Sequence, residues 1–310
     1  MTYAEIVALR LLIEEVERNG TKAARLFAYE AEYDAAPQGI SVIAPVHNGA
    51  DEMAELMISL ANQSLSRSQF EVIFALNGCT DASRQVVDHF AATSSVNTVV
   101  IESETASVAQ ARNEALQLAR FRHATFVDHD DHLSRAYLDE CVTLSDYRSV
   151  VVSNIIKVEN GIIVEDYAQK VVAEGFDISH VHGPDDIALC YRAYTLNAIK
   201  TAPTYMMRRI AYDARLSHSE DVNYWRDLFH MFTPITVKSP TRRDTYFRKV
   251  FPHSLSRKDT DYYDKAKPRF HILDQIARDA EVYPCDAPQR KFDAQIKFLM
   301  MSTLDQLGRH

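Results

Sequence analysis

Ala124-Thr125-Phe126-Val127-Asp128-His129-Asp130-Asp131-His132 is the stretch on which the reading of this chain turns. A short apolar run, read as a buried strand, ends in three carboxylates within four positions, with two histidines interleaved. In a parallel α/β sheet, ligands sit at the carboxyl ends of the strands. Acids crowded there raise one another's proton affinity unless a cation sits among them. An oxygen-rich cluster of this kind suits Mg²⁺ or Mn²⁺, which can hold a phosphate on its other face. The same letters also describe a solvated acidic turn, so the flanking chain decides between the two.

Upstream, strands alternate with helices. Ile40–Val46, Phe70–Leu76, Thr98–Ile101 and Ala124–Val127 read as strands, and stretches 51–63, 81–92 and 107–122 as helices. The first of these helices carries Met53, Leu56, Met57 and Leu60 on one face. Repeated β-α-β units predict a mostly parallel sheet flanked by helices. Right-handed crossovers bring the carboxyl ends of the strands to one edge. Three loops then converge: Pro45-Val46-His47-Asn48-Gly49, Leu76-Asn77-Gly78-Cys79-Thr80-Asp81, and Asp128–Asp131.

Four pieces of this region, in order, resemble family 2 glycosyltransferases. Ser41-Val42-Ile43-Ala44-Pro45-Val46-His47-Asn48 looks like that family's first strand and loop. Glu71 to Asp81 resembles its second strand and Asp-Gly-Ser-x-Asp turn. Ala111-Arg112-Asn113 matches its Ala-Arg-Asn segment, and Phe126-Val127-Asp128-His129-Asp130-Asp131 its metal-binding Asp-x-Asp segment. The resemblance, closest to bacterial surface-polysaccharide members, covers roughly residues 39–135. It implies an α/β fold of GT-A type, Rossmann-like, binding a nucleotide-sugar donor with Mn²⁺ or Mg²⁺.

The roles implied by the resemblance follow. Pro45, Val46, His47 and Asn48 would shape the base pocket. Leu76 and Asn77 stand where the family frequently has two aspartates; Asn77 can still bond a base edge, being both donor and acceptor. Asn77-Gly78 also fits a plain tight turn. Arg112 would place fixed positive charge near the sugar or phosphates. Asp81 is assigned a structural role at the start of the following helix. Asp128 or Asp130 would contact the ribose, and Asp130 or Asp131 would reach the metal. His129 points to the opposite face of an extended chain and reads as packing or as lining of the donor pocket.

Further along, Ser134 is the expected N-cap of a helix through Leu144, 149–157 a strand, 185–200 a helix, and 203–209 a strand bearing Met206 and Met207. His180 and His182 lack further ligands nearby and are not read as a metal pair. Tyr212 to Trp225 resembles the family's acceptor-side Glu-Asp motif, which implies a catalytic pair, Glu220 and Asp221, with Asp221 the general base. Acids are also favoured in a helix's first turn, and Ser217-x-x-Glu220 fits a capping box. Trp225, one turn after Asp221, can share its face, either stacking on a sugar or packing in the core. Tyr246-Phe247-Arg248 followed by Ser254-Leu255-Ser256 resembles the family's Tyr-x-Arg and Ser-x-Ser. It makes Arg248 and Arg257 candidates to close over the diphosphate and His253 a candidate metal ligand.

Residues 1–38 read as an N-terminal helical extension, 39–257 as the GT-A domain (39–135 nucleotide half, 136–257 acceptor half), and 258–310 as a C-terminal helical extension. The terminal helices are expected to pack on the domain or to form a homodimer. The formal net charge of −9 argues against nucleic acid as partner. Four scattered cysteines fit a reducing cytosol. No signal-peptide pattern or bilayer-length apolar run is present, so the expected location is cytoplasmic, including peripheral association at the inner membrane face. The expectation is an inverting, metal-dependent transferase that uses a nucleotide sugar, such as a UDP-sugar, and a glycan or lipid-linked acceptor. The competing readings are a sugar-nucleotide nucleotidyltransferase and a degenerate binding subunit. Against the former, Val46-His47-Asn48-Gly49-Ala50-Asp51 offers no Arg or Lys.

Overall fold

β1 (Ile40–Val46) is buried along its whole length, as a short apolar run at the centre of a sheet must be. In the computed structural model, which describes residues 28–165, 172, 181–183, 191–216, 218–239, 241–250 and 262–307, it lies between two parallel neighbours. These are β2 (Phe70–Asn77) and β4 (His123–Phe126), and β2 pairs in parallel with β3 (Thr98–Ser103). Helices α2 (Ala54–Ala61), α3 (Ser83–Thr93) and α4 (Val108–Leu118) make the connections. The expected apolar face of α2 is buried: Met53, Leu56 and Leu60 are inaccessible and Met57 nearly so. Ser107 caps α4 by accepting from the Gln110 N–H.

Beyond β4 the sheet continues through β10 (Lys200–Pro203), β6 (Ser149–Val152), β11 (Ile235–Lys238) and β9 (Val181–His182). The full order is β3-β2-β1-β4-β10-β6-β11-β9, with β10 antiparallel to both its neighbours. Strand order therefore reverses between β1 and β4. That is the topological switch point where open α/β sheets open a crevice. A second sheet, β5 (His132–Leu133), β12 (Thr245–Lys249), β7 (Asn154–Glu159) and β8 (Ile162–Val164), stands beside it. β5 directly follows the acidic loop and pairs with β12, so residues more than a hundred positions later reach that loop.

Several expectations change. The single strand over 149–157 is two, because the buried Ser153 turns its N–H to the Ile199 carbonyl (2.8 Å) and the chain passes to the second sheet. The strand expected over 203–209 is displaced: Lys200–Pro203 is the strand, and α6 (Thr204–Met207) follows it. Thr204 sets that turn, its hydroxyl donating to Phe121 O and its N–H to Arg122 O. Of the helix expected over 185–200, residues 185–190 lie outside the described residues, and Tyr191–Thr195 form a 3₁₀ turn. Ser134 does not cap α5 (Tyr137–Leu144); its hydroxyl donates to Arg243 O and accepts from Thr245 N, which holds it to β12.

Of the N-terminal helices, residues 1–27 lie outside the described residues, and 28–35 form helix α1. Tyr29 stacks on Tyr205, and the Tyr33 hydroxyl meets His123 Nε2 at 2.8 Å. At the other end α8 (Tyr262–Asp279) and α9 (Pro288–Leu307) bury Ile272, Ile276, Ile296 and Leu304. They dock on α7 (Glu220–Phe232) through a buried ion network. Arg226 donates to Asp293 (2.7 and 3.0 Å) and to Asp279, and His230 meets Asp293 at 2.9 Å. No described helix is long and apolar enough to cross a membrane.

Burial alone would raise the Asp293 carboxyl, but hydrogen bonds from His230 and Arg226 hold it below its ordinary value. Its contribution to docking is therefore present above the ordinary carboxylate range and is lost as pH falls through the depressed value. Asp293→Ala leaves a buried guanidinium short of a partner and should cost about 3 kcal/mol. Urea unfolding at pH 7 and at pH 3 checks this; the gap between wild type and variant should shrink in acid.

Candidate active site

The loops after β1 and β2 are built as one piece. Asn48 sits at φ +50°, and its side-chain oxygen accepts from the Thr80 N–H at 2.7 Å. Asp81 accepts from the Ala50 N–H and the Ser83 N–H, both at 3.0 Å. The structural role expected of Asp81 is thus a tie between two loops as well as a turn before α3. His47 Nδ1 lies 2.7 Å from the Asn77 carbonyl. The Asn77 amide donates to Val46 O at 2.7 Å, so its nitrogen is committed to the backbone. Gly49 leaves room for the His129 ring: a Cβ there would lie 2.2 Å from it and push the ring aside. That ring therefore packs over the first loop, with Nε2 3.4 Å from Glu52 Oε2.

The acidic loop divides its labour. Asp131 is 3% exposed, and both its oxygens are taken, one by the Tyr246 hydroxyl (2.6 Å), the other by the Lys249 N–H (2.7 Å). Tyr246 also accepts from the Asp128 N–H (3.2 Å). Asp131 thus fastens the loop to β12, which argues against the metal contact expected of it. Burial, with Asp130 and Asp128 beside it, raises the Asp131 carboxyl well above its ordinary value. Burial and then Asp128 also raise Asp130. Mutual repulsion between Asp128 and Asp130 is what a divalent cation relieves.

Arg112, on α4, crosses from this loop to the start of α7. It is 5% exposed, donating to Asp128 (3.2 Å) and to Glu220 (3.1 Å). Its guanidinium lies 5.3 Å from the Tyr212 ring centre and 6.0 Å from that of Phe126. With the Asn197 amide turned so that its oxygen faces Arg112, it accepts from Nε and Nη2 at 3.2 and 3.0 Å. Burial opposes the charge, but Tyr212, Asp128, Glu220 and Asp221 together hold Arg112 protonated. Asn113, next in sequence, clamps the Tyr212 backbone from both sides (2.9 and 2.8 Å).

α7 begins at Glu220 after Ser219, which is left-handed (φ 61°) and makes no side-chain cap. Ser217 lies outside the described residues, so the expected capping box is not seen there, and the Glu220 carboxylate is turned to Arg112 instead. Asp221 is pushed up to about 6 by burial and by Glu220, against the pull of Arg112 and Lys200. Lys200 is fully buried; its ammonium donates to Ala193 O at 2.8 Å and lies 4.5 Å from the Trp225 ring centre.

A cleft of about 430 Å³ joins these parts. The carboxyl ends of β1, β2 and β4 and the loops after them line it with Pro45, His47, Asn77, Asp128, His129, Asp130 and Asp131. It is also lined by Arg112, Glu220 and Asp221 and, from β12, by Arg248. Val46 is wholly buried in β1, Asn48 is spent on the loop tie, and neither lines the cleft. Trp225 is inaccessible, packed against Tyr194 and Tyr224, so it belongs to the core and not to a sugar platform. His253 and Arg257 lie outside the described residues. Asn197, Tyr246 and Lys249 join the site without having been singled out. Tyr246 sat inside a quoted motif; Asn197 carries no sequence signal at all.

The donor set fits a hard cation in part. Asp128 and Asp130 offer carboxylate oxygens, as Mg²⁺ and Mn²⁺ prefer. Among the described residues the cleft is lined by five acidic side chains against three lysine and arginine side chains, an acid-rich setting that favours a cation. Among the described residues the acidic loop does not gather three ligand atoms at one point, so remaining ligands would come from substrate oxygens and water. The described residues that do so gather are His230, Asp279 and Asp293, where Arg226 already supplies the positive charge.

Comparison with known proteins gives a family and a fold. A model of glycosyl transferase family 2 matches residues 41–213, more than half of the chain. The poly(ribitol-phosphate) beta-N-acetylglucosaminyltransferase TarS of Staphylococcus aureus is 30% identical over 122 residues, 39% of this chain and 21% of that protein. A poly(ribitol-phosphate) beta-glucosyltransferase of Bacillus spizizenii is 32% identical over 96 residues, 30% of this chain and 15% of the relative. The matches thus span about a fifth of those relatives or less. Among solved structures, S. aureus TarS 1–349 with UDP-GlcNAc has a TM-score of 0.63 at 21% identity, covering 85% of this chain and 72% of that one. The mannosyltransferase PcManGT of Pyrobaculum calidifontis, in complex with GDP-Man and Mn²⁺, has a TM-score of 0.61 at 16% identity, covering 95% and 84%. These likenesses give the fold, and it is the GT-A arrangement that the strand order and the crevice display. By the family match over its strand-and-helix core and acidic loop, the chain belongs to glycosyl transferase family 2.

Proposed function

We propose that this chain transfers a sugar, with inversion, from a UDP-sugar to a hydroxyl of a cell-surface glycan or lipid-linked polymer. It would work as a cytosolic enzyme that reaches the membrane's inner face. One observation carries the reading: a single cleft joins the Asp128–Asp131 loop to the Glu220–Asp221 pair, with Arg112 bonded to both. Relatives that act on poly(ribitol-phosphate) support a polymer of the cell envelope as acceptor.

The donor base would lie against Pro45 and His47. Because the Asn77 nitrogen is held by Val46 O, its oxygen is the end left to accept a bond. That suits the imide N–H of uracil. Asp128 would bond the ribose, and Asp130, with Asp128, would hold Mn²⁺ or Mg²⁺. When bound, the cation offsets charge on the departing diphosphate. Arg248, which lines the cleft from β12, adds fixed positive charge there. Asp221 takes the proton of the acceptor hydroxyl as that oxygen bonds to the anomeric carbon. The anomeric carbon–phosphate oxygen bond breaks on the opposite face, and its electron pair leaves with UDP. Glu220, held by Arg112, keeps Asp221 basic by its negative charge.

Asp221→Asn should lower transfer about a hundredfold or more while leaving UDP affinity nearly unchanged; equal loss of both contradicts the assignment. Since Asp221 titrates at about 6 and acts ionised, kcat/KM should fall below pH 6 and be flat above it. A profile without that acid limb contradicts the role. Asp130→Asn should remove the Mn²⁺ dependence of UDP binding, measured by calorimetry with and without chelator. Asp131→Asn should instead lower the melting temperature by loosening β12; if it abolishes metal dependence at unchanged stability, the division of labour is wrong.

A further inference from the structure

Lys200, the first residue of β10, is wholly buried, yet its ammonium is bonded to a single carbonyl, that of Ala193 in the 3₁₀ turn (2.8 Å). Its other neighbour is an aromatic face, with the Trp225 ring centre 4.5 Å away. Nothing in the transfer step as derived above uses this cation. An ammonium so stripped of water costs stability, and a methionine of similar volume would fill the space without that cost. Buried charges of this kind cluster where a charge is used.

The backbone that carries Lys200 is fixed on both sides. The Thr125 hydroxyl of β4, three positions before Asp128, donates to Lys200 O at 3.0 Å. Ile199, just before, is left-handed (φ 69°), an outlier for a β-branched residue. Its carbonyl accepts from the Ser153 N–H at 2.8 Å. This turn leads the chain from Leu196, Asn197 and Ala198, which line the cleft, into β10. Backbone strain of this kind gathers at functional sites.

The group within reach of this charge is Asp221. Trp225 follows Asp221 by one turn of α7, so the two share a face, and Lys200 meets that face at Trp225. Among the described residues, Asp221 is the only charged group that supports the Lys200 ammonium against burial. Around Asp221 stand Glu220 beside it, Arg112 from α4, Lys200 from β10 and the Tyr212 hydroxyl. His218 and Arg269 line a small cavity with it. Burial and Glu220 drive a proton onto Asp221, and Arg112 and Lys200 oppose it. Arg112 already donates to Asp128 and Glu220, whereas Lys200 is bonded to no carboxylate among the described residues.

We propose that Lys200 is a positioning residue for the base: its buried ammonium, seated on Trp225 one turn from Asp221, keeps Asp221 ionised and open to the acceptor's proton. The proposal rests on the glycosyl-transfer reading and adds what offsets Glu220. Without Lys200, burial and Glu220 hold the proton on Asp221 over more of the neutral range, and the base is blocked. Lys200 itself exchanges no proton with substrate.

The test reads Asp221 directly, in the full chain labelled with ¹³Cγ-aspartate, where its signal is the one missing from Asp221→Asn. In the wild type it should titrate at about 6. Lys200→Met removes a cation that lowers Asp221, so the midpoint should rise, by about one unit. Lys200→Gln, which keeps a donor for Ala193 O, should raise it likewise, and Lys200→Arg should leave it near the wild-type value. The acid limb of kcat/KM should move up with it, a loss of about threefold at roughly pH 6.5 that vanishes by about pH 9. A merely structural lysine would lower stability in these variants and leave the midpoint in place. A midpoint that stays or falls in Lys200→Met and Lys200→Gln overturns the proposal. A midpoint that rises while the kcat/KM limb stays put overturns the glycosyl-transfer reading of Asp221 instead, and leaves the hold of Lys200 on that carboxyl intact.

Discussion

A single buried guanidinium carries the site. Arg112 is almost wholly out of water, and a charge so placed survives only if its surroundings return what hydration would have given. Asp128 on one side, Glu220 on the other, two aromatic faces and the Asn197 amide do so. The consequence is geometric. The loop after β4 and the first turn of α7 are 92 positions apart between Asp128 and Glu220, and one side chain fixes the gap between them. Under the proposed function, that gap separates the diphosphate from the base.

The rest of the architecture feeds this junction. Strand order reverses between β1 and β4, so a crevice opens beside the acidic loop. The second sheet brings β12 alongside, where Tyr246 and the Lys249 N–H take both oxygens of Asp131. One acid is thereby spent on structure, leaving Asp128 and Asp130 toward the cleft. Asn113 extends the same economy of position: adjacent to Arg112, it holds the Tyr212 backbone that leads toward α7.

Much of this was legible in the sequence where the signal was local. The apolar runs of β1, β2 and β4 and the face of α2 follow from spacing alone, and the β-α-β pattern brought the loops after those three strands to one edge, while Arg112 and Glu220 were singled out by motif without being placed there. What stayed hidden depends on long-range contact. Nothing in 149–157 announces that Ser153 will bond Ile199 and send the chain to another sheet. Met206 and Met207 read as strand, yet Thr204's bonds to Phe121 and Arg122 wind them into a helical turn. Val46 and Asn48 lay within a matching motif, but β1 is buried on both faces and takes one with it, and the Thr80 tie consumes the other. Trp225 had two readings, and the packing of Tyr194, Tyr224 and Lys200 around it selects the core. Asn197 could not be found from sequence, because its place beside Arg112 is made by the fold.

The most direct test of this account is a double-mutant cycle on unfolding free energy with Arg112→Met and Glu220→Gln. If Arg112 holds the two halves of the cleft together, Glu220→Gln should destabilise the wild type but be close to neutral in the Arg112→Met background, giving a coupling of about 1–3 kcal/mol. Additive effects, with coupling below about 0.5 kcal/mol, would show that the bridge does not hold the site and would contradict the account.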